Sequence, residues 1–181
     1  MNTELPYSII GTSRARMVQF PRVLIITNVY TSMITILLLS LAGAVIAVVV
    51  GTVWYSNATP MGKIHMRYLG FDALSEEEKK SKMEAGKSMM PKMYAAQMAL
   101  SFLTAFAVVF IVTMSVGNGV PLMMAIGFVI LNWLCFVVPT IGSAILWSNC
   151  DRSIAWKKFF SDICSNLVTL LLVALMTSFF V

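Results

Sequence analysis

Met33–Trp54, MITILLLSLAGAVIAVVVGTVW, is a run of 22 residues without a Lys, Arg, Asp or Glu. A helix rises about 1.5 Å per residue, so about 20 such residues cross the hydrocarbon core of a bilayer. Only a helix or a closed barrel satisfies its backbone there, and this run has no polar alternation that would suit a barrel strand. Working outward, residues 93–121, 121–150 and 163–181 also lack all four charged residue types. Composition agrees: 12% of the chain is charged and 59% hydrophobic, against about 25% charged in an ordinary soluble domain. The sequence thus predicts an all-α polytopic membrane protein. Its four spans, at about 33–55, 92–114, 120–147 and 159–181, form an antiparallel bundle in the lipid bilayer.

Charge sets the expected orientation. The net charge is +5 and the pI about 9.3, but the basic residues flank apolar spans, which points to membrane topology and away from nucleic acid. Arg14, Arg16 and Arg22 fall on one side. Lys63, Arg67, Lys79, Lys80, Lys82, Lys87, Lys92, Arg152, Lys157 and Lys158 fall on the other. The excess places loops 56–91 and 148–158 in the cytoplasm and both termini outside. Residues 1–32 read as a tail without a signal-peptide layout, in which Val23–Ile26 lie along the membrane surface.

The polar segment 56–91 reads as a helical hairpin. Thr59-Pro60 is an N-cap followed by Pro at the first helical position, and Gly70 is the stop. Ser75 and Glu78 form a capping box opening a second helix, with Glu76, Lys80, Glu84 and Lys87 at pairing distance along it. In the third span, Pro139 with Thr140 and Gly142 predicts a kink that frees a carbonyl near Cys135 or Phe136. The stretch from Trp147 to Lys158 reads as a loop.

Two sets of residues inside the spans stand out. Gly43, Ala47 and Gly51 recur every fourth residue, a small-residue face on which another helix packs closely, in the protein itself or in a partner. Gln97, Ser101 and Thr104 share a face of the second span. Asp162, Asn166 and Thr169 share one of the fourth, and Asn132, Thr140 and Ser143 add polar groups to the third. Turned inward they form a polar seam. It serves either as interhelical hydrogen bonding, worth about 0.6–2 kcal/mol per contact, with Asp162 paired to Lys158, or as a route for a small solute or ion. Bonding has the stronger claim, because Asp162 lies close to the span boundary. Trp54, Tyr55, Trp147, Trp156 and Lys157 read as interfacial anchors.

Other chemistry lacks its parts. The sole histidine, His65, and the absence of a nucleophile elbow, a phosphate loop or a zinc motif argue against an enzyme. Cys135, Cys150 and Cys164 have neither disulfide nor metal spacing. Met83, Met89, Met90, Met93 and Met98 cluster, but irregularly, which suits adaptable packing better than copper. No cofactor is expected.

Trp54-Tyr55-Ser56, then Gly62-Lys63, and later Trp133, Phe136, Thr140 and Trp156-Lys157, resemble the pattern of a group of small bacterial membrane proteins catalogued as a domain of unknown function. The resemblance covers roughly Ile34 to the C-terminus and implies a four-span protein of a bacterial inner membrane, with no activity to transfer. This chain departs from the group's pattern at Asn57, Met61 and His65, where Pro, Phe and Trp are usual. The expected role is a small interaction or structural subunit, alone or as a homo-oligomer. The competing role is a small transporter or channel.

Overall fold

The computed structural model describes residues 22–181, with side chains from residue 33 onward. The elements are α1 (Arg22–Trp54), α2 (Pro60–Tyr68), α3 (Glu76–Lys87), α4 (Met90–Gly117), α5 (Leu122–Asn132), α6 (Val138–Leu146) and α7 (Arg152–Ser178). A 3-10 turn, Phe71–Ala73, follows α2, and a π turn, Trp133–Val137, joins α5 to α6. No strand occurs among the described residues. Met33–Trp54, Met90–Gly117, Leu122–Leu146 and Arg152–Ser178 are each long and apolar enough to cross a membrane. The protein is a four-span membrane protein.

Contacts fix the directions. Gly43 of α1 lies against Ala105 of α4 and Val173 of α7, while Tyr55, twelve residues on, meets Asp162 of α7. α1 therefore runs antiparallel to α7, and α4 parallel to it. The short turn after Gly117 sends the third span back beside α4. The end carrying α2 and α3, called the loop end below, holds both larger connections.

The far half of the bundle is an apolar core. Ile36, Val109, Val112, Val129 and Val173 are all at most 1% exposed and join Leu39, Val108, Leu170 and Ala174 in one cluster. Two buried hydroxyls there answer to their own helices: Ser40 donates to the Ile36 carbonyl at 2.6 Å and Thr177 to the Val173 carbonyl at 2.8 Å, while the buried Thr113 hydroxyl has no hydrogen-bond partner. Such back-bonding is how a hydroxyl is tolerated where no water reaches.

Between spans one and two, Thr59 caps α2 by accepting from Gly62 N, and Pro60 occupies its first turn. Gly70 ends the segment with φ 74°, a left-handed conformation that favours glycine. Ser75 and Glu78 form the reciprocal capping box of α3. The ion pairs of α3 have i, i+3 spacing, Lys79 to Glu76 and Lys87 to Glu84. α3 has no buried residue.

Three readings change. Residues 22–32, taken as tail, continue α1 without a break; no Gly or Pro lies between Arg22 and Ser32 to stop a helix. Residues 1–21 of the expected tail lie outside the described residues. The third span accommodates Pro139 by a π turn one residue earlier, where Val138 N donates to the Trp133 carbonyl. Thr140 donates to the Phe136 carbonyl at 2.6 Å, so that carbonyl keeps a partner. Lastly, the Trp147–Lys158 segment is a loop only as far as Asp151. The Asp151 carboxylate accepts from Ser153 N and Ile154 N, an N-cap that starts α7 a full two turns before its apolar run.

Candidate functional site

The loop end of α1 turns a corner built on two small residues. The Thr59 hydroxyl donates to the carbonyls of Trp54 at 2.7 Å and Ser56 at 2.9 Å while accepting from Gly62 N at 2.9 Å. Gly62 rests directly on the Ser56 carbonyl: a Cβ there would stand 1.9 Å from that oxygen. The Trp-Tyr-Ser and Gly-Lys elements thus meet, and their joint effect is to fold α2 back onto α7.

That corner aims two side chains at α7. Trp54 Nε1 donates to Ser161 Oγ at 3.1 Å, and Tyr55 OH donates to Asp162 Oδ1 at 2.6 Å. Asp162 is also ion-paired with Lys158, one turn earlier on α7. Lys158 is 7% exposed. Its ammonium lies 5.0 Å from the Tyr55 ring centroid and 5.8 Å from that of Tyr68. Opposite charges, a phenol donor and two aromatic faces together make a buried cation tolerable. Burial first, and the Asp162 carboxylate next, push the Tyr55 hydroxyl above its usual range.

The placement changes the role read for Trp54 and Tyr55. They are interhelical hydrogen-bond donors; the sequence suggested surface anchors, because an aromatic pair at a span's end shows its depth and hides its partner. Trp147 is exposed, Trp156 packs edge-on against Phe159 at 5.4 Å, and Lys157 is exposed beside Phe160. Trp133 Nε1 donates to the Ile163 carbonyl at 3.0 Å, a contact that position in the pattern did not disclose.

Beneath the corner lies a cavity of about 170 Å³ between α1, α4 and α7. Its wall contains Ala47 and Gly51 on α1, Gln97, Ser101 and Thr104 on α4, and Asn166 and Thr169 on α7. The small-residue face and the polar seam are therefore one place. Gly43 closes it toward the far half, since an ideal Cβ would sit 2.8 Å from Ala105 Cβ. Gly51 has no heavy atom within 4 Å of such a Cβ. The two helices touch at Gly43 and diverge toward the loop end. Gly43 thus packs inside its own bundle.

Not every seam residue joins. Asn132 lines a neighbouring cavity of about 200 Å³ that shares Thr104 and Leu170 with the first. Thr140 and Ser143 lie on the exposed outer face of the third span, and the shift of register at the π turn helps to separate them from the seam. Asp162 stands at the mouth, reached through Tyr55.

His65 extends the cluster. Its ring lies 5.0 Å from that of Tyr55, and its buried Nδ1 has no hydrogen-bond partner. Burial first, and the Lys158 charge next, lower its pKa, partly opposed by Asp162. The unfolded chain then binds the additional proton below about pH 6.5. Stability from this group is complete above that pH, falls as pH drops through it, and levels off once the folded imidazole is also charged. The melting temperature in detergent is expected to decline between about pH 7 and pH 5 more in the native protein than in His65→Phe. Equal declines would remove His65 from the account.

No curated protein and no solved structure matches the chain. One family does, over residues 38–178, from the middle of α1 to the last turn of α7, and so spans the corner, the ion pair and the cavity. The chain belongs to the family described as "Protein of unknown function (DUF1761)".

Proposed function

We propose that this protein is a small membrane subunit that works by association, through its third span, with a helix of a second copy or of another membrane protein. One observation carries the reading. In the most apolar 18-residue stretch of the third span 11% of the residues are buried, against 28–33% in those of the other three. Cys135, Thr140 and Ser143 are exposed on that uncovered face, and Asn132 is exposed at its edge, beside α4. An amide such as that of Asn132 is costly against lipid and gains a partner when another helix covers it. The π turn at Trp133–Val137 gives this face an irregular shape that a partner can match.

The apolar far half speaks against a continuous aqueous path, which is the feature a channel needs. A non-catalytic role is part of the proposal, as is the orientation with the basic loops in the cytoplasm of a bacterial inner membrane. Cys135 supplies the test, being a native thiol on the uncovered face. In a variant with Cys150→Ser and Cys164→Ser, mild oxidation of native membranes is expected to trap Cys135 in a disulfide with a second copy or with one defined protein. A chain that stays monomeric and uncrosslinked at all oxidant levels contradicts the proposal.

A further inference from the structure

We propose that the cavity between α1, α4 and α7 is a binding site for a small neutral molecule rich in hydroxyl groups, of the size and chemistry of a polyol. The inference is separate from association through the third span, which lies on another face.

Size comes first. The cavity is about 170 Å³, and an apolar protein cavity of about 150 Å³ holds one benzene ring. About six non-hydrogen atoms fit. The cavity is open on one side, where Gln97, Leu100 and Thr104 are exposed, so its polar wall meets either water or a solute that replaces it.

The chemistry of the wall selects the occupant. The Tyr55 hydroxyl donates to Asp162, the Thr104 hydroxyl to the Leu100 carbonyl at 3.0 Å, and the Thr169 hydroxyl to the Ser165 carbonyl at 2.9 Å. The Asn166 amide donates to the Asp162 carbonyl at 2.9 Å and that of Gln97 to Ser101 Oγ at 3.3 Å. Those three hydroxyl hydrogens are committed, and each amide has one donation in place and a second N–H besides. These groups offer the cavity both kinds of partner: the amide carbonyls of Gln97 and Asn166 and the lone pairs of the hydroxyls as acceptors, and the second amide N–H groups as donors. The matching ligand both donates and accepts. No charged residue lines the wall, and the nearest acid, Asp162, is already neutralised by Lys158. A cation would give up its hydration without gaining a counter-charge, so a neutral donor fits better. Ala47 and Gly51 offer a flat apolar floor for the carbon side of such a molecule.

The source of the polyol is either a free molecule or the glycerol moiety of a lipid. Saturation transfer in nuclear magnetic resonance separates them, with the full chain in phosphatidylcholine nanodiscs and irradiation of aromatic protons, which those lipids lack. Transfer is expected from the protein to ¹³C-glycerol added in solution, or to phosphatidylglycerol carrying a ¹³C-glycerol headgroup. The arm that responds identifies the source. Gly51→Leu projects into open space, is expected to melt at or above the native temperature, and abolishes transfer by filling the cavity. Gln97→Leu, on an exposed helix face, weakens binding about fivefold through one lost acceptor. It carries the comparison if Gly51→Leu fails to fold. Absence of transfer in both arms, unchanged transfer in the variants, or transfer to methylammonium in place of glycerol overturns the proposal.

Discussion

Asp162→Ala is expected to destabilise the bundle by about 3–5 kcal/mol, the usual consequence of stranding one partner of a buried ion pair. The Lys158 side chain is 9% exposed and that of Asp162 17%, so water cannot take over the role of the carboxylate. The same change removes the acceptor of the Tyr55 hydroxyl, which donates to Asp162 Oδ1 at 2.6 Å. A loss of that size lowers the melting temperature in mild detergent by roughly 10 °C. Asp162→Asn keeps an acceptor for Tyr55 and loses the charge, and is expected to fall between Ala and native. Replacing both partners, Lys158→Met with Asp162→Leu, removes the uncompensated charge and recovers much of the loss. An Asp162→Ala protein that melts with the native one would mean that the pair is solvated and that the corner is held by something else.

Gly62→Ala is expected to cost at least about 3 kcal/mol, the upper range for forcing atoms into a packed site. The obstacle is backbone: the new Cβ would meet the Ser56 carbonyl oxygen at 1.9 Å, its carbon at 2.5 Å and the Tyr55 carbonyl oxygen at 2.8 Å. No side-chain rotation relieves that contact. Either α2 lifts from the corner or the Thr59 cap breaks, and in both cases Tyr55 loses its aim at Asp162. The expected signature is a lowered melting temperature together with increased protease cleavage in residues 56–75. Gly86→Ala, where a Cβ meets nothing within 4 Å, is the matched control and is expected to be neutral or slightly stabilising. Native behaviour in Gly62→Ala would show that the corner is looser than its carbonyl contacts imply.

The four spans were legible because the absence of charge over 20 or so residues is a statement about solvent, and the solvent dictates helix. The hairpin was legible at its caps, since Thr59, Gly70, Ser75 and Glu78 act on backbone within a few residues of themselves. Partnership across the bundle was not. Gly43 advertises a close approach, yet nothing local says whether the approaching helix belongs to the same chain. Tyr55 and Asp162 are separated by 107 positions, and only the turn at Gly62 brings them together. The early start of α7 was missed because its first turns, Arg152 to Lys158, are polar or mixed; Asp151 as a cap was the readable signal. Thr140 looked like a seam residue by composition, but the π turn changes the register at which it faces its neighbours. Membership of the seam depends on helix rotation, and polar spacing alone leaves that rotation free.

The picture that results is asymmetric. The loop half carries an ion pair, a capped corner and a polar cavity; the far half is apolar and packs closely at Gly43. On the proposed reading such a molecule acts by what it holds at its sides and loop end, without passing solute from one face to the other. Thiol accessibility tests that most directly. With Cys135, Cys150 and Cys164 replaced by Ser, a single thiol introduced as Gly51→Cys or Val109→Cys is exposed to a charged, membrane-impermeant reagent from each side in turn. The account predicts that Gly51→Cys reacts from the side bearing α2 and α3 alone, and that Val109→Cys, at a site 0% exposed in the native protein, reacts from neither. Reaction of Val109→Cys from either face would contradict it, because water would then reach the centre of the core.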